Sequence, residues 1–499
     1  VQQNGDSAIR RARQAKSILY GIVEANLTAS TVVSAGIEYQ NHRGYGAGGA
    51  RSGAPIYFAD GTRTGFGRDS NLAANWSQTH RRNFTAFASL EHFFDNQWRV
   101  KVDLEQSRRR YDMTLAGLNF NIFPDGTGNI SGVRWVGEPE QNSVGLHAVG
   151  PFQWFGRTHE LVVGTSAYRM KEYGPNHTGF NHEIDNIFDF IATGDYPIQP
   201  MAPDGASSLN RDTQSGFYLA TRLKPTDELS LILGGRITNW RTRTDRTSTA
   251  GVQTRGTERK ESGVVTPYAG IVYDLTPQWS VYGSYTDIFR PATVYDVNGD
   301  LLDPAEGLNL EAGVKFAFFE NRLNLSLAVF RTKKDNVPEY VPGPGGATSY
   351  GPTGQYIYKG VDGTRTTGFE VEVAGQLTPA WQISGGYSHS RPKDAEGDPR
   401  LTYIPTRQLK VFSAYRLPWA DGALTLGGNV RWQNGAWYEE ARQGGLTLVD
   451  LMGQYRITPK LTATLNVNNV FDKSYYTDIQ IAGWYGLRRN AFLNLRYAF

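Results

Sequence analysis

Cysteine is absent from the 499 residues, so neither a disulfide framework nor a thiolate metal site is possible. Apolar residues are scarce as well: 39% of the chain, below the roughly 45–50% of ordinary globular domains. No run approaches the roughly 18 consecutive apolar residues of a transmembrane helix. The first residues carry no signal-peptide pattern, and 1–16 read as the middle of a segment rather than a start. A surplus of one charge is missing too. The 51 basic and 48 acidic residues leave +3, with the two signs interleaved, which argues against a nucleic-acid partner. Glycine (56), Tyr (27), Phe (24) and Trp (11) are plentiful instead. A β-barrel with a wet lumen needs only one apolar face per strand, and its average hydrophobicity is low for that reason.

One unit recurs along the chain: alternating strand, tight polar turn, alternating strand. The turns fall at Asn26–Thr31, Phe94–Gln97, Phe155–Thr158, Lys224–Glu228, Leu275–Gln278, Phe319–Arg322, Leu377–Ala380, Pro418–Gly422 and Ile457–Lys460. Pro, Asp, Asn and Gly supply their turn chemistry. In the flanking segments Leu461, Ala463, Leu465 and Val467 share one face, with Thr462, Thr464, Asn466 and Asn468 on the other. Leu323, Leu325, Leu327 and Val329 repeat this pattern. So do Trp98, Val100, Val102 and Leu104, set against Arg99, Lys101 and Asp103. A sandwich would alternate as well, but its connections would differ. Here the short turns alternate with long segments at 41–78, 106–142, 170–212, 242–262, 288–308, 334–366, 390–406, 434–446 and 472–488. Compact domains rarely hold so many long loops, whereas outer-membrane barrels pair short periplasmic turns with long extracellular loops.

The nine turns join eighteen strands, and a closing strand at about Arg488–Phe499 makes nineteen, ending on the aromatic typical of these barrels. Bacterial single-chain barrels have even strand numbers and no open edge. The odd count therefore predicts that the chain is part of a longer barrel. Its first complete strand is expected at Ser17–Ala25, with Val1–Lys16 as the remnant of an extracellular loop.

Several stretches narrow the class to a family. They are Ser17–Thr28 (SILYGIVEANLT), Tyr285–Pro291 (YTDIFRP), Leu302–Lys315 (LDPAEGLNLEAGVK), and Leu327–Arg331 with Asp335–Asn336. Tyr403–Arg407 (YIPTR), Val467–Tyr476 (VNNVFDKSYY) and Tyr485–Asn490 (YGLRRN) follow. In this order they resemble the barrel of TonB-dependent ferric-siderophore receptors, in the group that takes up coprogen and rhodotorulic acid, alcaligin, or pyoverdine. The resemblance covers nearly the whole chain.

It implies an all-β fold, a transmembrane antiparallel β-barrel of 22 strands in the parent protein. Residues 1–499 would supply strands 4 to 22, with the N-terminal plug domain not present. It further implies a monomer in the outer membrane of a Gram-negative bacterium, in contact with lipopolysaccharide and outer-membrane lipid. Import of a ferric siderophore, of hydroxamate type, would be driven by the TonB–ExbB–ExbD complex acting through the missing N-terminal region. No cofactor is implied, and iron enters only as ferric-siderophore cargo. Haem, cobalamin or another metal chelate through the same machinery, or a passive porin, are the alternatives.

Flat ferric chelates call for stackable aromatic walls with a few hydrogen-bond donors. Trp76, Tyr111, Trp135, Tyr295, Tyr340, Trp437, Tyr438, Trp484 and Tyr485 stand at loop ends and are the candidate ligand-binding residues. Aromatic girdles at the membrane interfaces compete with that reading for each of them. Arg81–Arg82 and Arg108–Arg110 fit ion pairing with lipopolysaccharide or lumen carboxylates, or attraction of an anionic chelate. Gly44, Gly46 and Gly49 form a GxGxxG string with no strand–helix unit around it, so no dinucleotide site is expected. His177, His182, Glu183 and Asp185 match no zinc spacing and read as a solvated loop rather than a metal site. No Ser/His/Asp arrangement stands out, and a non-enzyme is expected.

Overall fold

The computed structural model describes residues 2–6, 9–46, 53–343, 349–352, 355–480 and 483–498. Phe499, Gly49 and residues 344–346 of the Pro342–Gly346 run lie outside them. Among the described residues, nineteen strands of eight residues or more and two short ones share one antiparallel sheet. By contacts the chain divides into two compact units, residues 1–223, 233–267 and 481–484, and residues 224–232, 268–480 and 485–499.

The first unit holds β1 (Gln2–Asp6), β2 (Arg13–Thr28), β3 (Thr31–Tyr45), β4 (Gln78–Phe93), β5 (Arg99–Ile122), β6 (Gly128–Trp154), β7 (Arg157–His177), β8 (Phe180–Ile184) and β9 (Pro203–Leu223). β10 (Leu229–Thr247) and β11 (Gln253–Thr276) contribute to both. In the second unit β12 (Trp279–Arg290), β13 (Ala305–Phe318) and β14 (Leu323–Asp335) precede the loop hairpin β15 (Val337–Tyr340) and β16 (Tyr358–Val361). β17 (Thr364–Thr378), β18 (Trp381–Lys393), β19 (Arg407–Arg416) and β20 (Leu424–Gln433) follow, then the small hairpin β21 (Ala436–Tyr438) and β22 (Ala441–Gln443). β23 (Leu446–Arg456), β24 (Leu461–Asn468), β25 (Tyr476–Asp478), β26 (Trp484–Tyr485) and β27 (Asn490–Tyr497) end the chain.

All nine tight connections lie where the turn chemistry puts them. Positive φ marks several of them: Gln97 at 66°, Phe155 at 46°, and Phe319, Glu320 and Asn321 at 53°, 58° and 65°. The register turns the period-two alternation into two faces, because directly paired residues of antiparallel strands point the same way. In the first unit Val33 pairs with Leu90, and Leu104 with Val144. In the second unit Leu327 pairs with Val371, Val371 with Tyr387, and Leu465 with Leu493. Many of these apolar side chains are exposed, Leu493 by 61% and Leu104 by 52%, which suits a surface that meets lipid rather than water. The opposite face carries Glu370, Glu372, Lys410, Asn429 and Asp450 in mid-strand.

Strand ends differ from the sequence reading at their long-loop side. β5 and β6 run through most of 106–142 and leave only residues 123–127 as a turn, and β10 and β11 leave only 248–252. Beyond the apolar band no lipid enforces alternation, so polar residues occupy both faces while the ladder hydrogen bonds continue. Val1–Lys16 is not simply loop: Gln2–Asp6 pairs with Arg13–Ser17, and β2 starts at Arg13. The closing strand begins at Asn490 rather than Arg488. His182 and Glu183 belong to β8, and His177 ends β7, so these are ladder positions rather than open loop. No metal-holding group of His and carboxylates occurs among the described residues.

A buried apolar core of the first unit, not anticipated from sequence, gathers loop residues, the long-loop ends of β5 and β6, and one helix. Leu72, Leu118, Ile122, Ile130 and Ile187 are fully buried with Phe190, and Phe58, Ala74 and Ala116 pack with them. The helix α1 (Ile187–Thr193) enters this core. Asn186 caps its start by accepting from the Asp189 N–H, and Gly194 ends it at φ 68°. Arg11 ties the pieces together. Its guanidinium donates to the carbonyls of Ala73 (3.3 Å), Asn71 (2.9 Å) and Ile191 (3.3 Å) and to Asn75 Oδ1 (2.7 Å). Asn71, fully buried, donates to the Arg10 and Gly46 carbonyls and accepts from the Ala73 N–H.

Two outcomes are expected. Leu327→Arg on the apolar face should lower stability in lipid vesicles by about 2–4 kcal/mol, while Ser326→Arg on the other face should cost far less. Equal losses in urea titrations would overturn the assignment of faces. Arg11→Met should leave the buried carbonyls of Asn71, Ala73 and Ile191 without donors, at a local cost of roughly 1.5–3 kcal/mol. Hydrogen exchange should then quicken over residues 71–76 and 187–193 and not in β23 or β24; unchanged protection there would rule out the bracing role.

Candidate functional site

The candidate aromatics fall into separate groups. In the first unit Trp76 is an internal support: its indole N–H donates to the Tyr196 carbonyl at 2.8 Å, and its ring lies 6.4 Å from Phe180. Phe180 stacks on Tyr196 at 5.9 Å, and the Tyr196 hydroxyl meets His182 Nδ1 at 2.8 Å. Tyr111 is fixed from both sides. Its hydroxyl donates to Glu172 at 2.7 Å, and its ring fills the space a Cβ at Gly137 would need. Trp135 is 54% exposed and makes no aromatic pair among the described residues, so it alone of these three presents an open ring. Trp484 is half-buried beside Gly483, whose N–H donates to the Ala54 carbonyl at 2.7 Å.

A recess of about 540 Å³ lies along β6, β7, β9, β10 and β11, lined by Ser143, Tyr168, Gln214, Trp240, Lys260 and Glu261 among others. That size suits a small ligand. Trp240 forms its wall and is only 6% exposed. It lies mid-strand, where sequence offered no cue beyond the residue type.

In the second unit the long loops are joined into one aromatic layer. Tyr340 on β15 packs edge-on against Tyr356 (6.0 Å) and Tyr358 (5.8 Å), and Tyr350 stacks on Tyr356 at 5.4 Å. The Tyr340 hydroxyl accepts from the Ser349 N–H at 2.8 Å. Tyr295 joins from a neighbouring loop, its carbonyl accepting from the Tyr358 N–H at 2.8 Å. That loop turns tightly at Asp296, whose carboxyl accepts from the Asp300 and Asn298 N–H groups; these bonds hold it below the ordinary carboxylate range.

From this hairpin Glu339 reaches Arg400 at 3.0 Å. Two residues on, the Thr402 carbonyl accepts from the Trp437 N–H at 2.8 Å. Trp437 is 46% exposed under the Arg442 guanidinium (5.3 Å), and Tyr438 meets Tyr403 at 6.1 Å. Gln443 then accepts from the Tyr476 N–H, and Tyr476 faces Tyr485 at 4.4 Å with their hydroxyls 2.9 Å apart. Tyr295, Tyr340, Trp437, Tyr438 and Tyr485 are thus brought into one connected layer. Tyr350, Tyr356, Tyr358, Tyr403 and Tyr476 belong to it as well and were missed. The Tyr356-Ile-Tyr358 step was the available signal, since period two puts both rings on one side.

The arginine runs are split by the same alternation. Arg108 and Arg110 lie on the side of Leu104 and pair with Glu140 (3.6 Å) and Glu138 (3.4 Å), and Arg109 takes the other side. Arg82 pairs in register with Arg110, whereas Arg81 pairs with Tyr111 and contacts the Met113 sulfur.

Known proteins resemble this chain along most of its length. Residues 23–470 match the model of the TonB dependent receptor-like β-barrel family. The chain is 36% identical over 503 residues to the ferripyoverdine receptor of Pseudomonas aeruginosa, covering 97% of this chain and 60% of that protein. It is 35% identical over 504 residues to the ferric-pyoverdine BN7/BN8 receptor of Pseudomonas putida, covering 98% and 60%. The chain therefore spans about 60% of the length of these relatives.

Among solved structures, the pyoverdine outer membrane receptor FpvA of P. aeruginosa bound to pyoverdine superposes with a TM-score of 0.89 at 35% identity, covering 100% of this chain and 73% of that one. The alcaligin receptor FauA of Bordetella pertussis gives 0.67 at 27%, covering 97% and 68%. The apolar face is accordingly the lipid-facing exterior of an outer-membrane protein, the polar face lines the lumen, and the chain belongs to the TonB-dependent receptor β-barrel family.

Proposed function

We propose that the protein of which this chain is the barrel portion is an outer-membrane receptor that binds a ferric siderophore of the pyoverdine type and imports it. The observation that carries this reading is the 36% identity to the ferripyoverdine receptor of P. aeruginosa, sustained over 97% of the chain. The relatives are receptors and transporters, and import of an intact chelate needs no bond to be made or broken. Binding falls to the exposed rings of the second unit's loop layer, Tyr340, Trp437 and their partners. A chelate with flat, aromatic surfaces gains from stacking there, and Arg442 over the Trp437 ring adds positive charge for an anionic cargo. A hydroxamate-type siderophore is the narrower reading from the family resemblance; the pyoverdine receptors among the relatives weigh against it.

In the complete protein the resemblance supplies the rest: a plug domain and three further strands preceding this chain, making a 22-stranded barrel, and energy from TonB–ExbB–ExbD. Iron stays within the chelate as cargo throughout.

Titration of the purified receptor with ferric pyoverdine, a ferric hydroxamate, haem and cobalamin tests the cargo. Ferric pyoverdine is expected to bind tightest. Tyr340→Ala and Trp437→Ala should each weaken it about tenfold, roughly 1.4 kcal/mol, while Leu465→Ala on the lipid face should leave it unchanged. Tyr340→Phe separates the ring from the hydroxyl that receives the Ser349 N–H, and should retain most affinity. Preference for the hydroxamate would favour the narrower reading, and preference for haem or cobalamin would overturn both.

A further inference from the structure

The register of β14, β17 and β18 places a cluster of cations on the lipid-facing side, directly above the apolar band. Lys333 pairs with Arg365, and Arg365 with Lys393, so three cations stand opposite one another across three strands. Two residues nearer the membrane, Arg331 pairs with Thr367 and Thr367 with Arg391. One step further down, Val329, Phe369 and His389 form the next row, followed by Leu327, Val371 and Tyr387. Rows on one face are about 7 Å apart along the strand. The cations thus begin within about one row of the hydrocarbon.

Such a row is unfavourable by itself. Side chains directly opposite across antiparallel strands have Cβ atoms about 4.5–5.5 Å apart, and like charges there destabilise the sheet. Interleaved carboxylates would relieve this, as Glu138 and Glu140 do for Arg110 and Arg108 in the first unit. Here the only carboxylate in ion-pair range among the described residues is Asp335, 3.0 Å from Lys333 and also accepting from the Gly363 N–H. Arg331, Arg365 and Lys393 have none among the described residues. Among the described residues Arg391 donates only to His389 Nε2, at 3.0 Å. The lumen face of the same strands carries Glu370 and Glu372, which point away from the cluster.

We infer that Arg331, Lys333, Arg365, Arg391 and Lys393 form a binding site for the phosphates of an outer-leaflet glycolipid whose acyl chains lie along Leu327, Val329, Phe369 and Val371. Only a ligand anchored in the membrane satisfies both halves of this surface. Phosphate oxygens accept from guanidinium and ammonium donors in charge-assisted bonds, and the chains cover the apolar rows below. The site rests on the outer-membrane placement of the chain and is independent of which chelate the receptor carries.

Native mass spectrometry of the purified full-length protein in detergent tests this, with bisphosphorylated lipid A and its dephosphorylated form as probes. Lipid A should bind at least tenfold more tightly than the dephosphorylated form. The triple variant K333Q/R365Q/K393Q should lose that difference, and K333R/K393R should keep it. Heat-modifiable migration on gels confirms that each variant is folded, and if the triple variant fails there, R365Q alone is read instead. Equal binding of the two lipids would overturn the site, as would millimolar inorganic phosphate displacing lipid A completely, which would mark a free-anion site instead.

Discussion

The structure depends on one constraint: in a bilayer every strand N–H and C=O must be bonded to a neighbouring strand. Side chains within the band are then free only to choose between two faces. Composition follows from this. The lipid face takes Leu, Val, Phe and Tyr, the lumen face takes Glu, Lys, Asn and Ser, and the average falls to 39% apolar. The segments above the band are released from this choice, and there polar and aromatic residues occupy both faces.

What was legible in the sequence follows the same division. The tight turns needed fixed chemistry, and the faces needed strict alternation, so both could be read residue by residue. Phe319–Arg322 and Leu323–Val329 are examples. The upper reaches of β5, β6, β10 and β11 could not be read that way. Their ladder bonds persist after lipid has stopped selecting side chains, and Arg108–Arg110 therefore read as lying near a strand end rather than well inside β5. The loop core of Leu72, Leu118 and Ile187 left no periodic trace either, because it gathers single residues from distant segments.

The candidate site was half visible for a related reason. Aromatic residues at loop ends could be named, but their partners could not. Trp76 is held inside the first unit by Tyr196 and Phe180, whereas Trp437 stands half-exposed beneath Arg442. Both are tryptophans beside long loops; only tertiary contacts separate an internal support from an exposed ring. The aromatic layer also shows how loops long enough to be floppy are ordered. Glu339–Arg400 and Thr402–Trp437 link neighbouring loops, so each is braced by the next.

Arg11 carries a consequence for how the chain assembles. It precedes β2, yet one of its carbonyl partners, Ile191, is 180 residues away. Bridging so long a stretch of chain costs loop-closure entropy, and the ordered strands in between lower that cost. The contact therefore depends on β2 to β7 keeping their register, and slippage of any one of them would part Arg11 from the end of α1.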